Sequence, residues 1–487
     1  MGLFQLFFEF IKPWIWIPLG IAYIGIIFVI LLENRNVNKA LSYIVILIFV
    51  PVLGLIVFYF FGRDYRKRIR LKFKNEHDIN AIKEFRQELI YNQENALKHL
   101  KTEFGTLSKP ARMLINEQSS FLLSGNETKL LINGEEKFPE VVKALKSAKH
   151  HIHLEYYIFS DDEVGREIMN ILIEKSRDGI EIRILVDGAG SSDLGSIPKT
   201  LKENGIKLYR FMPVRFKNLA STNYRNHRKM IIVDGKIGFI GGLNIDERYL
   251  NNGRHKLYWR DTHLKIEGPA VNIMQLVFST DWRYVSKRLL PLAEPYFSKQ
   301  SNHSGKSPIT IIASGPVSLR PYGMDSMVSL IHNARKSIKI TNPYFIPSDE
   351  LKGALITAAL SGVEVKIILP GISDSTIVQR ASNSYLKPFL YNGVEIYRYQ
   401  KGFIHAKTMT VDDKVSLVGS FNTDIRSFYI NYEASALVYD KELTQKLNNQ
   451  FDKDMDDSIM LDYISWKNRS INNRLLDSFC RLITPLL

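Results

Sequence analysis

NYRNHRKMIIVDGKIGFIGGLN, residues 223–244, carries a histidine, a lysine two residues later and an aspartate at the next tight turn. FIHAKTMTVDDKVSLVGSFN, residues 403–422, repeats that order. The pattern H-x-K-x-x-x-x-D therefore occurs twice, as His227, Lys229 and Asp234 and as His405, Lys407 and Asp412. With each residue type at about 5% of an average protein, one such triplet arises by chance in ~0.06 of chains this long. Two copies, each trailed by Gly-Gly-Leu-Asn or Gly-Ser-Phe-Asn, point to a shared task.

Each stretch reads as two β-rich runs joined by a turn, at Asp234-Gly235 and at Asp412-Asp413. Side chains alternate faces along a strand, so the histidine and lysine of each copy point the same way. Imidazole is a nucleophile or proton carrier near neutral pH, and an ammonium suits a phosphate oxygen. The aspartates also have a purely structural reading, setting the turn and fixing the backbone beside it.

The repeat extends beyond the motifs. Residues 138–159 and 165–188 each read as a helix followed by a strand, and residues 327–347 and 351–371 do the same. Ala148-Lys149 corresponds to Ala334-Arg335, Gly179 to Gly362 and His227 to His405, so the spacing shrinks slowly along the chain. The expectation is two similar α/β halves, 110–300 with its motif at 222–249 and 301–487 with its motif at 400–427. The polar stretch 298–308 marks the boundary. Gly188-Ala189-Gly190 lacks the third glycine of a dinucleotide fingerprint and reads as a loop.

The N-terminus is of another kind. Residues 14–32 and 41–61 are two uncharged apolar runs separated by eight residues. Each is long enough for the ~30 Å hydrocarbon layer, so residues 1–62 are expected to form a two-helix transmembrane hairpin. Residues 63–74 hold seven Lys/Arg and one Asp, which places residues 63 onward on the cytoplasmic side and makes 63–109 a basic juxtamembrane linker.

The formal charge of +15 attracts nucleic acid, anionic membrane or phosphorylated substrate without choosing among them. The one cysteine, Cys480, excludes an intrachain disulfide and a cysteine-ligated zinc site. Asn126, Asn302 and Asn468 sit in N-x-[ST] triplets, read as chance matches in a cytoplasmic part. His150, His151 and His153 read as a surface helix end in preference to a metal site, His263 as structural, and the amphipathic tail 474–487 either as lying on the membrane or as core, with core preferred.

The doubled motif with its trailing Gly and Asn resembles the phospholipase D superfamily over nearly all of residues 110–487. The hairpin, RNHRK, ITNPYFIPSDE, GSFNTDIRSF and FCRLITPLL resemble, within it, the bacterial cardiolipin synthase family. The resemblance implies an α/β fold of two pseudo-twofold-related halves, each a sheet flanked by helices, with both motifs meeting in one cleft. It implies a phosphatidyltransferase that joins two phosphatidylglycerol molecules into cardiolipin and glycerol through a phosphatidyl-histidine, needing no metal or other cofactor. His227 would be the nucleophile and His405 the acid and base, roles that the symmetry of the sequence does not assign. Lys229, Lys407, Asn244 and Asn422 would hold the phosphate oxygens. Alignment of the repeats places Asp261 behind His227 and Glu433 behind His405 as orienting acceptors. The expected partner is anionic phospholipid in a bacterial inner membrane rather than nucleic acid, with oligomeric state left open. Hydrolysis by the same site, or phosphatidylserine synthesis, are the alternatives.

Overall fold

The computed structural model describes residues 20–21, 23–30, 37–50, 54–55, 76–90, 93–117, 119–213, 223–298 and 305–482. The chain divides into two compact units, Met1–Leu71 with Arg215–Asn223 and Lys72–Val214 with Tyr224–Leu487.

In the first unit, residues 23–30 and Val37–Phe49 are helical, and Ile30 and Leu47 are buried among Tyr23, Ile26, Val29, Ile44 and Leu55. The second helix stops short of the expected 41–61 span. It ends at Phe49, two residues before Pro51, which has no N–H to donate to a helical ladder. Helical bonding resumes where Gly54 N donates to Val50 O at 2.7 Å. Among the described residues no helix is long and apolar enough to cross a membrane. The remainder of the expected hairpin, and the basic run 63–74, lie outside the described residues.

The second unit is built on seventeen strands among the described residues. The first half contributes β1 (Leu122–Ile132), β2 (His151–Tyr156), β3 (Glu181–Asp187), β4 (Lys207–Phe211), β5 (Lys229–Val233), β6 (Ile237–Gly241), β7 (Tyr258–Arg260) and β8 (Thr262–Glu267). The second contributes β9 (Ser307–Ser314), β10 (Ser337–Thr341), β11 (Glu364–Pro370), β12 (Glu395–Tyr399), β13 (Gly402–Ile404), β14 (Thr408–Val411), β15 (Val415–Gly419), β16 (Glu433–Tyr439) and β17 (Ser458–Met460).

Fifteen of these form one sheet that reads the same outward from its centre. β1 and β9 pair antiparallel at the middle. Outward from β1 run β8, β6, β5, β2, β3 and β4; outward from β9 run β16, β15, β14, β10, β11 and β12, with β17 added at that edge. The order is that of a duplicated unit. The hairpin strands β5 and β15 are buried along their whole length, as the near-continuous apolar runs KMIIV and VSLVG require. A bulge interrupts the β1–β9 register, and Asn126 fills it. Its Nδ2 donates to Leu123 O and Ser307 O, and its Oδ1 accepts from Ala270 N.

The stretch expected as a linker is instead part of the core from residue 93 onward. Leu97, Leu100, Phe104 and Leu107 are buried with Ile312, Leu330, Leu437 and Tyr439 of the second half. Gln93 clasps the backbone of Leu122 through both ends of its amide, at 2.8 and 3.2 Å. Apolar residues at 97, 100, 104 and 107 recur at helical spacing, and that stripe has to be covered.

Candidate active site

The two hairpins β5–β6 and β14–β15 turn where the sequence places them. Asp234, Gly235, Asp412 and Asp413 all have positive φ, between 54° and 61°, which a tight hairpin turn demands of both central residues. The aspartates of the two motifs serve this corner and not the cleft. Asp234 accepts from the backbone N–H of Lys149, His150 and His151 at 2.8–2.9 Å. Asp412 does the same for Arg335, Lys336 and Ser337. Each stands at the far end of a strand from its lysine, about 16 Å away at ~3.3 Å per residue. Their placement among the catalytic residues is therefore corrected: they tie a helix–strand junction to the hairpin. Asp234→Ala is expected to cost about 2–3 kcal/mol of stability by orphaning three amides. A urea titration beside kcat of the folded protein checks this, with kcat remaining within a few-fold of the parent.

At the other end of those strands each histidine meets a carboxylate of the opposite half. His227 Nδ1 faces both carboxylate oxygens of Glu433, at 3.1 and 3.3 Å. His405 Nδ1 lies 2.7 Å from Asp261 Oδ2. This crosses over the expected assignment, in which each acid served the histidine of its own half. The backbone explains the exchange. Ile404 pairs with Arg260 in the parallel β13–β7 ladder, and Asn226 pairs with Tyr432 in the equivalent isolated bridge. His405 N then donates to Arg260 O at 2.7 Å and His227 N to Tyr432 O at 2.8 Å. One residue further along each partner strand stands the acid, now beside the histidine of the other half. An acceptor at Nδ1 places the proton there and leaves Nε2 for chemistry.

Both imidazoles are largely buried, with side chains 14% and 9% exposed. Burial lowers the proton affinity of each. Lys229 adds to this at His227, and Lys407, Lys229 and His227 add to it at His405, so the four groups share one field. Burial also pushes Asp261 up to about 6, against the pull of Lys407 and the Thr262 amide. His405 sits among the rings of Trp259, Phe403, Tyr249 and Tyr344, whereas His227 meets Tyr157 edge-on at 4.7 Å.

Lys229 and Lys407 each bend back to the carbonyl of their own histidine, at 2.7 and 2.5 Å. Burial brings Lys229 down to about 7 and Lys407 to about 8. A bound phosphodiester anion favours both ammonium forms, so above pH ~7–8 the complex holds more protons than the free protein and binding takes protons up. Affinity must then fall as pH rises. The expected result is a KM flat below pH 7 that climbs above pH 8 by up to ~10-fold per unit for each proton taken up. Rates across pH at constant ionic strength, with calorimetry in two buffers of different ionisation enthalpy, test it; no proton uptake would overturn it.

Asn244 and Asn422 are both buried. Asn244 is held through Ile158 N and Tyr249 Oη, while Asn422 Oδ1 has no partner among the described residues. Beneath Asn244 lies Lys137, fully buried, its Nζ donating to Leu243 O and Asn244 O at 3.1 Å. Burial drives its proton affinity far down. Sequence reading passed over Lys137, since a lysine beside an amphipathic helix start reads as solvated. It also passed over Tyr157 and Arg228. Arg228, between the motif histidine and lysine, faces away from them, ion-pairs with Asp281 and donates to Glu433 O and Ser314 O, binding one half to the other. The His150 to His153 cluster is not a surface helix end. His151 and His153 begin β2, are buried against Tyr296, and His153 stacks on Phe278. Among the described residues no side-chain cluster is suited to a metal ion. His263 is buried as expected of a structural residue.

A family described as cardiolipin synthase, phospholipase D-like domain, matches residues 141–282 and 327–455, once in each half and over more than half the chain. The chain belongs to this family. The matched segments contain both H-x-K-x-x-x-x-D motifs and both carboxylates that orient the histidines. Residues 21–63 match a second family, described as phospholipase D-nuclease N-terminal. A cardiolipin synthase of Alkalihalophilus pseudofirmus is 39% identical over 96% of this chain and 92% of its own length. Cardiolipin synthase 1 of Bacillus anthracis is 38% identical over 96% and 93%. Among solved structures, phosphatidylserine synthase of Haemophilus influenzae covers 78% of this chain and all of its own, with a TM-score of 0.61 at 17% identity, a likeness of fold.

Proposed function

We infer that the protein is a cardiolipin synthase, which transfers a phosphatidyl group from one phosphatidylglycerol to the terminal glycerol hydroxyl of a second. The observation that carries this reading is the pair of imidazoles in one buried field, each backed by a carboxylate from the opposite half. Family membership supplies the lipid substrate class.

His227 Nε2 attacks phosphorus, and the P–O bond to glycerol breaks. His405, protonated in the presence of the bound anion, gives its Nε2 proton to the departing glycerol oxygen. Neutral His405 then takes the proton of the second lipid's hydroxyl, whose oxygen attacks phosphorus as the P–N bond breaks. Cardiolipin leaves and His227 is restored. Glu433 and Asp261 hold the two rings and stabilise whichever carries charge. Lys229, Lys407, Asn244 and Asn422 hold the non-bridging oxygens as charge moves through them. The low exposure of both histidines and the rings around His405 favour a lipid alcohol over water as acceptor.

The apolar runs 14–32 and 41–61 hold the protein in the membrane, with the basic run 63–74 and the catalytic part on the cytoplasmic side. The match of residues 21–63 to an N-terminal family of phospholipase D-like proteins supports this, as does the distribution of charge.

Purified full-length protein given phosphatidylglycerol labelled in the headgroup glycerol is expected to yield cardiolipin and free labelled glycerol in equal amounts. Phosphatidic acid in place of cardiolipin would overturn the transfer reading in favour of hydrolysis. Serine incorporation from CDP-diacylglycerol would overturn it in favour of phosphatidylserine synthesis.

A further inference from the structure

The C-terminal helix Ile471–Leu482 is packed the wrong way round for a core helix. Its buried residues are Asp477 and Cys480. Its apolar residues face out: Ile471, Leu475, Phe479 and Leu482 are each more than 60% exposed, and Leu476 is about half exposed. Positions 471, 475, 479 and 482 recur at intervals of four, four and three, which is one face of a helix. The opposite face is fastened to the rest of the molecule. Asp477 accepts from Arg380 at 3.3 Å and from Arg469 at 2.9 Å. Cys480 sits with Ile346 and Ala381. Of the two readings of this tail, the preferred one, core, is thus corrected: a polar residue docks it and the apolar stripe is left outside.

We propose that this helix is a membrane contact, laying its apolar face into the headgroup region of an anionic bilayer. The charge pattern selects that occupant. Arg474 and Arg481 are exposed on the helix, and Lys467 is exposed just before it. Asp477, the one acid between residues 471 and 482, is buried and already shared by two arginines. An apolar arc edged by arginines with no exposed acid suits anionic lipid. A second copy of the same face would instead set arginine toward arginine with nothing to answer them. Ile464, on the short helix Tyr463–Lys467, is another exposed apolar side chain, three residues before Lys467 and two after the exposed Asp462. The inference stands on the geometry of the helix and does not depend on which phosphatidyl reaction the cleft performs.

The lone cysteine makes the test direct. Full-length protein carrying Cys480→Ser and Phe479→Cys, labelled with an environment-sensitive fluorophore, is reconstituted in phosphatidylglycerol/phosphatidylcholine vesicles. The expected result is a blue-shifted emission that brominated acyl chains quench, independent of the protein-to-lipid ratio. Adding Arg474→Glu and Arg481→Glu should reduce the quenching while leaving the melting temperature unchanged. A solvent-like, unquenched probe overturns the proposal. So does a blue-shifted emission that no brominated lipid quenches, which would show another part of the chain covering the face, and so does shielding that rises with protein-to-lipid ratio, which would show a second copy. Because the readout is optical, it separates these outcomes whether or not the cleft makes cardiolipin.

Discussion

Replacing His227 with alanine is expected to lower the rate of cardiolipin formation by about ten-thousand-fold or more, because no other group can form the bond to phosphorus. Replacing His405 removes a proton donor and acceptor but not the nucleophile, a loss of about a hundred- to ten-thousand-fold. The two are separated by a phosphatidyl ester of p-nitrophenol, whose leaving group needs no proton. With that substrate His405→Ala should still give a burst of one nitrophenolate per enzyme and a trappable phosphatidyl-protein. His227→Ala should give neither. A burst from His227→Ala and none from His405→Ala would exchange the roles. Normal turnover by either variant would remove the covalent mechanism.

The crossed carboxylates predict which step each acid variant harms. Glu433 stands behind His227 at 3.1 Å and Asp261 behind His405 at 2.7 Å. An amide in place of either acid keeps the shape but favours the wrong tautomer, and such changes at histidine–carboxylate pairs cost on the order of a hundred- to ten-thousand-fold. Glu433→Gln should therefore suppress the nitrophenolate burst, and Asp261→Asn should spare the burst while suppressing transfer to the second lipid. If Asp261→Asn abolishes the burst and Glu433→Gln spares it, each acid serves its own half after all. Melting temperatures close to the parent's would separate this from a loss of fold.

Much of this was legible in the residues. The twin motifs, the hairpin turns at Asp234 and Asp412 and the α/β duplication followed from local rules of period and turn chemistry, and the sheet repeats its strand order about β1–β9 accordingly. Most of what escaped was set by contacts between halves. Alignment within the repeat found Asp261 and Glu433 as the acids, yet placed each behind the wrong histidine, because nothing local reveals that β7 runs beside β13. Lys137 escaped for a different reason: its two acceptor carbonyls belong to its own half but lie more than a hundred residues away. The helix Gln93–Phe104 belongs to the core of the half that is distant in sequence, so its stripe reads as linker until that core is known.

The exchanged bridges carry a consequence for the unit that was duplicated. A chain of a single lobe would hold an imidazole with no carboxylate behind it and no second imidazole opposite. Two such chains regain both by pairing about a twofold axis, because the contact of Ile404 with Arg260 and that of Asn226 with Tyr432 are one contact met twice. The present molecule is thus a homodimer written into one polypeptide, and the fusion released its lobes from sameness. Arg228 and Glu155 occupy positions where the other lobe has Ala406 and Thr341, a divergence that a pair of identical subunits cannot make.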